Sequence, residues 1–145
     1  MSGQRPRTAA TTRPEEDRIP RASATAHELS RIELLAGLSG EALAQLATRM
    51  EREEVAPGTV LIHEGEPGDR FFVLFAGMLS VTHETFPSRD VLRPGDYFGE
   101  VALAMNIPRT ATVVAITPAV VASCDRETFD EILRPLFADD EPADR

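Results

Sequence analysis

The residues best placed to do chemistry are Phe98-Gly99-Glu100-Val101-Ala102-Leu103 and, after a short gap, Pro108-Arg109-Thr110-Ala111-Thr112-Val113. They read as a tight glycine turn, a short apolar helical piece, a loop, and one arginine entering a β-branched run. A turn of this kind exposes backbone N–H groups, and a helix start adds the positive end of its dipole, so the segment suits an anion. Arg109 adds a planar fork of donors that matches a phosphate. Glu100 is the discordant member, because a carboxylate repels a phosphate. It fits if it accepts a hydrogen bond from something attached to that phosphate, such as a sugar hydroxyl. The implied ligand is a phosphate carrying a ribose. Each residue also has a plainer reading. Arg109 could pair with an acid such as Glu100, Glu100 could simply favour a helix first turn, and Thr110 is a good strand former.

The elements that must position these residues follow from periodicity and turn chemistry. Leu29, Ile32, Leu35 and Ala36 predict a short helix from Glu28 to Ala36, ended by Gly37. Ser39 caps a second helix carrying Leu43, Leu46, Ala47 and Met50 on one stripe. From Glu54 the period changes to that of strands. Runs at Val55-Ala56, Thr59 to His63, Phe71 to Phe75, Leu79 to Glu84, Thr110 to Ile116 and Ala119 to Cys124 are separated by glycine and proline turns. Thr85 to Ser88 makes a short connection, and Val91-Leu92-Arg93 leads into the turn Pro94-Gly95-Asp96. Glu64 to Asp69 is a longer turn whose two glycines, Gly65 and Gly68, can take positive φ. Asp125 caps a last helix with Phe129, Ile132, Leu133, Leu136 and Phe137 on its apolar face, bent or ended by Pro135. The expected architecture is a rolled or closed antiparallel β-domain, a small barrel with helices at both ends.

Composition sets the boundaries. The 145 residues suit one domain. Residues 1–27 read as a disordered N-terminal tail, residues 28–137 as the domain, and residues 138–145 as an acidic C-terminal tail. The tail lacks the apolar content of a signal peptide or membrane span, so a cytoplasmic protein without direct membrane insertion is expected. A net charge of -9 repels nucleic acid and anionic membrane, so a phosphate must be held by a local positive site. The single cysteine, Cys124, sits in an apolar strand-like run and is expected to be buried. His27, His63 and His83 have no partners at metal-ligand spacing, and no metal is expected.

FGE, an apolar Ala-Leu pair and PRTATV, in this order and spacing, resemble the phosphate-binding cassette of the cyclic nucleotide-binding domain family, as do the turns at Glu64–Asp69, Gly77 and Pro94–Asp96. The family includes the catabolite activator protein, kinase regulatory subunits and gated channels, and the resemblance covers roughly residues 34–134. It implies a mainly β fold with flanking helices, an antiparallel β-roll of jelly-roll-like barrel type. It also implies a ligand, cAMP before cGMP. On the matching positions, Gly99, Val101 and Ala102 border the phosphate and ribose, Glu100 accepts from the ribose 2′-hydroxyl, Arg109 pairs with the cyclic phosphate, and Thr110 adds a hydroxyl near phosphate or base. The family's long helix over the base is the one departure, because only the short acidic stretch 138–145 follows. This leaves the base expected to be open to solvent or closed by a partner.

The resulting expectation is a regulatory sensor acting through a protein effector or by self-association into a homo-oligomer. Its rival is a structural or interaction module that keeps the fold and binds no nucleotide. A DNA-binding regulator is disfavoured by the charge and by the lack of a helix-turn-helix pattern. No catalytic residues are expected, because nothing pairs a nucleophile with a base. Leu136-Phe137 is either core packing or a docking point for a partner.

Overall fold

Two antiparallel sheets roll around an apolar interior in the structure, a computed structural model that describes residues 18–84 and 89–138. The strands are β1 (Arg18–Ser23), β2 (Glu51–Val55), β3 (Val60–Ile62), β4 (Arg70–Ala76), β5 (Leu79–Thr82), β6 (Arg89–Leu92), β7 (Tyr97–Phe98), β8 (Thr112–Ala115) and β9 (Ala119–Asp125). One sheet has the order β1-β2-β9-β4-β7 and the other β3-β8-β5-β6. The two stay separate instead of closing into the expected barrel. Closure requires edge strands to bond to one another, and the edges β3 and β7 are only three and two residues long. The antiparallel β-roll itself is present.

Strands β4 and β9 sit inside the first sheet and are buried on both faces, which explains their unbroken apolar runs. Phe71 and Val73 of β4 join Cys124 of β9 in a cluster under the helices. Phe72 and Leu74 point the other way, packing with Val121, Phe98, Leu79 and Val113 between the sheets. The helical cluster holds Leu29 of α1 (Ala26–Leu29), Leu35 of a 3-10 turn (Glu33–Gly37) and Leu46 of α2 (Gly40–Arg49). Leu103 of α3 (Glu100–Met105) joins them. Cys124 is buried there as expected, and desolvation pushes its thiol up to about 12.

Several boundaries differ from the sequence reading. Within the stretch 1–27 read as tail, β1 pairs antiparallel with β2 and Thr25 and Ala26 begin the first helical turn. Thr25 starts α1 through a capping box: its hydroxyl accepts from the Glu28 N–H at 3.0 Å, and Glu28 Oε1 accepts from the Thr25 N–H at 3.2 Å. The helix predicted from Glu28 to Ala36 is two pieces, α1 and the 3-10 turn, separated by a turn at Ser30–Ile32. Ser39 caps α2 as expected, accepting from the Ala42 N–H at 3.0 Å. The connection read at Thr85–Ser88 lies outside the described residues, as do residues 1–17 and 139–145.

The C-terminal helix runs as α4 (Arg126–Thr128), a π-helical segment (Phe129–Leu133) and α5 (Arg134–Ala138). Asp125 caps it, accepting from the Thr128 N–H at 2.9 Å and its hydroxyl at 2.7 Å, bonds that hold the Asp125 pKa below its ordinary value. Pro135 does not end the helix. The wider π segment precedes the proline, where its ring would crowd a preceding carbonyl and its nitrogen has no hydrogen to donate. Leu136 and Phe137 are partly buried against the core, and the Phe137 ring meets Phe129 at 5.5 Å and Tyr97 at 5.6 Å between centroids. They pack, as the plainer of the two expectations held.

Candidate functional site

The cassette residues meet at one cavity of about 220 Å³. Gly99, Glu100, Val101, Ala102, Arg109 and Thr110 all line it, as does Tyr97. Gly99 has φ 91 and ψ -5 and turns β7 into α3, a conformation in which a larger residue would be strained. A Cβ there would also lie 2.9 Å from the Arg70 carbonyl oxygen. The far end of α3 is closed by Asn106, also left-handed (φ 55), whose N–H returns to the Ala102 carbonyl. The chain then reaches Arg109, whose backbone is clamped to the Glu64–Asp69 turn. Its N–H donates to the Glu66 carbonyl and its carbonyl accepts from the Gly65 N–H, both at 2.9 Å.

Arg109 is buried, the whole residue being 7% exposed. Nη1 donates to the Gly99 carbonyl and Nη2 to the Arg70 carbonyl, each at 3.1 Å. These bonds fix the fork against the turn that opens α3, and they show that Arg109 does not pair with Glu100. Burial pushes the guanidinium pKa down. Asp69 opposes that shift and Arg126 adds to it. The result is a buried cation without a bonded anion among the described residues, a position that favours an arriving phosphate.

Glu100 is half-buried, and burial pushes its carboxyl above the ordinary value, opposed only by its own backbone N–H. No side-chain donor among the described residues bonds to it. A buried carboxylate of this kind gains most from a neutral donor such as a hydroxyl.

Gly68 corrects the sequence reading of its turn. Gly65 takes positive φ (90), whereas Gly68 does not. Gly68 is needed for a different reason: a Cβ would fall 2.6 Å from Arg109 Nε and 2.7 Å from Cζ. The arginine occupies the space that a side chain would fill. Two arginines that the sequence did not single out, Arg126 and Arg134 of the C-terminal helix, reach the backbone beside the site. Arg126 Nη2 donates to the Gly68 carbonyl at 3.1 Å and Nη1 to the Leu103 carbonyl at 3.4 Å. Arg134 reaches the Ala104 and Leu103 carbonyls at 3.4 and 3.3 Å. Two cations of the C-terminal helix thus cover the carbonyl end of α3, the end that favours positive charge. Their signal in the sequence is weak, because the bonds run to backbone carbonyls.

Fold and site define a nucleotide-binding class of β-roll, and comparison with known proteins gives the family. A sequence model described as "Cyclic nucleotide-binding domain" matches residues 52–135, and the chain belongs to that family. It is 33% identical over 115 residues to a cAMP-dependent protein kinase regulatory subunit of Dictyostelium discoideum, covering 74% of this chain and 35% of that protein. Thus the chain spans about a third of that relative's length. Among solved structures it is similar to the regulatory domain of Toxoplasma gondii PKA co-crystallised with cAMP (26% identity, TM-score 0.73, 79% of this chain and 47% of that one). It is similar also to the regulatory subunit of a cAMP-independent protein kinase A from Trypanosoma cruzi bound to guanosine (29% identity, TM-score 0.74, 82% and 44%). The domain is a binding module related to kinase regulatory subunits. Among the described residues no helix is long and apolar enough to cross a membrane, and no cluster of three or more His, Cys, Asp or Glu could hold a metal.

Proposed function

We propose that this chain is a regulatory, non-catalytic sensor that captures a cyclic nucleotide, cAMP in preference to cGMP, and passes the signal to a protein effector or to a second copy of itself. The single observation that carries this reading is the Arg109 guanidinium, buried without an anion and fixed by two backbone carbonyls at the wall of the cavity. The cyclic phosphate would meet Arg109 and the N–H groups at the start of α3. The ribose 2′-hydroxyl would donate to Glu100, and Thr110 would border phosphate or base.

Transmission has a physical route. Binding does work only if two states differ in affinity for the ligand. Arg126 and Arg134 tie the C-terminal helix to α3, and Phe137 touches Tyr97, a cavity residue. A shift of α3 toward the phosphate therefore strains contacts made by the C-terminal helix.

The guanosine-bound relative shows why the ligand must be argued from this chain's own residues: the same roll is described there with a nucleoside. Here the phosphate is supported by Arg109. Calorimetric titration of cAMP and cGMP into the parent and into Arg109→Lys tests the reading. The lysine keeps a charge but loses the fork, and affinity should fall about tenfold or more. Equal affinity in a folded Arg109→Lys protein would overturn the phosphate-anchor reading, and a parent that binds neither nucleotide at millimolar concentration would favour the rival, a module that keeps the fold and binds no nucleotide.

A further inference from the structure

Resting on the cyclic-nucleotide reading, a second inference concerns which base the cavity takes. Along the inner face of the second sheet the residues run apolar: Leu79 opposite Leu92 and Ala115, then Val81 opposite Val113. Residues paired across antiparallel strands share a face. By that register the other partner of Val81 is Asp90, on the same inward row. Alternation predicts a hydrophobic residue there. Instead an aspartate joins Val81, Val113, Leu92 and Arg109 in lining the one cavity. Asp90 is exposed where it lines this cavity, and its carboxylate takes part in no hydrogen bond or ion pair among the described residues.

A negative charge in a cavity built for a phosphate opposes the ligand unless it meets donors, the same logic that applies to Glu100. Glu100 belongs to α3, which opens the cassette, whereas Asp90 projects from β6 of the other sheet. The part of a nucleotide that carries donors away from the phosphate and ribose is the base.

His83 supports this. It follows Val81 by two residues, and it lines the same cavity. Its Nδ1 lies 2.9 Å from the Thr110 carbonyl oxygen, which can only accept. Nδ1 therefore carries the hydrogen, which fixes the ring against the Thr110 backbone at the cavity wall.

We propose that Asp90, with His83 lining the same cavity, reads the nucleobase by accepting a hydrogen bond from its exocyclic amino group. The favoured ligand class is an amino-purine cyclic nucleotide, and a 6-oxo purine without an amino group is rejected. An acceptor facing a carbonyl oxygen gains no bond and suffers repulsion, so the discrimination rests on that lost charge-assisted bond, at an exposed carboxylate that water also reaches.

The test is calorimetric titration of cAMP and cIMP into the parent, Asp90→Ala and Asp90→Asn, with melting curves for all three. The parent should bind cAMP at least about tenfold more tightly than cIMP. Asp90→Ala should bring the two to within about threefold, chiefly by weakening cAMP. Asp90→Asn keeps the shape, and its amide can turn to donate or accept, so it should narrow the ratio as well. An unchanged cAMP-to-cIMP ratio in either folded variant, or a parent that binds both equally, overturns the inference while leaving cyclic-nucleotide binding intact. A parent that binds neither nucleotide at millimolar concentration overturns the functional reading, and this inference with it.

Discussion

Replacing Glu100 with Gln should make this protein more stable at neutral pH and a weaker binder of its nucleotide. The carboxylate is half-buried, has no cation bonded to it, and has its pKa raised by burial. A carboxyl whose pKa is higher folded than unfolded makes the native state hold its proton longer. Its ionisation therefore costs stability, beginning as pH rises through the unfolded value near 4.5 and complete above the folded value. Glutamine removes that penalty and keeps the shape. The melting temperature of Glu100→Gln should exceed the parent's at pH 7, and the gap should vanish below about pH 4. Binding should change the other way. A hydrogen bond to a charged acceptor contributes about 1.5–3 kcal/mol against about 0.5–1.5 for a neutral one. The substitution then gives up about 1–1.5 kcal/mol, roughly five- to twelvefold in affinity for cAMP. Titration with 2′-deoxy-cAMP isolates the contact: the deoxy analogue should bind the parent more weakly than cAMP by a larger factor than it does Glu100→Gln. An equal deoxy penalty in both proteins, or a lower melting temperature for the variant at pH 7, would refute the reasoning.

Other outcomes follow from the same geometry. Gly68→Ala places a Cβ against Arg109 Nε and Cζ, so the guanidinium must move; destabilisation of about 1–3 kcal/mol and a loss of cAMP affinity of tenfold or more are expected by melting and titration. Arg126→Ala removes the donors to the Gly68 and Leu103 carbonyls, and should weaken binding a few-fold while leaving the protein folded, as circular dichroism would show. Cys124, buried with its thiol pushed up to about 12, should resist a thiol reagent at pH 8 in native protein and react rapidly once denaturant unfolds it.

The cassette was legible because its parts are local and chemically distinctive. Gly99 needs a left-handed backbone, Arg109 is charged at the edge of an apolar run, and Ser39 and Asp125 cap helices as their types suggest. What escaped depends on partners distant in sequence. Strand β1 contains Pro20 and lacks an apolar alternation; it is held at the sheet edge by pairing with β2, itself largely charged (Glu51-Arg52-Glu53-Glu54), so neither strand carried a hydrophobic signal. Strand β7 has two residues, too few for any period. Gly68 looked like a turn glycine, and only the folded position of Arg109, far along the chain, shows that it is a glycine for lack of space. Asp90 carried no signal of its own in the sequence, and only its register opposite Val81 places it on the inner face.

The central claim is that the cavity is built for a phosphate on a ribose, and the most direct measurement removes the phosphate from the ligand instead of the arginine from the protein. Titration of cAMP and adenosine into the unaltered chain leaves Arg109 and its bonds to Gly99 and Arg70 in place. Loss of a charge-assisted anchor corresponds to about 2–5 kcal/mol, so adenosine should bind roughly thirtyfold to several thousandfold more weakly than cAMP. Adenosine binding as tightly as cAMP, or no binding of cAMP at millimolar concentration, would contradict the account.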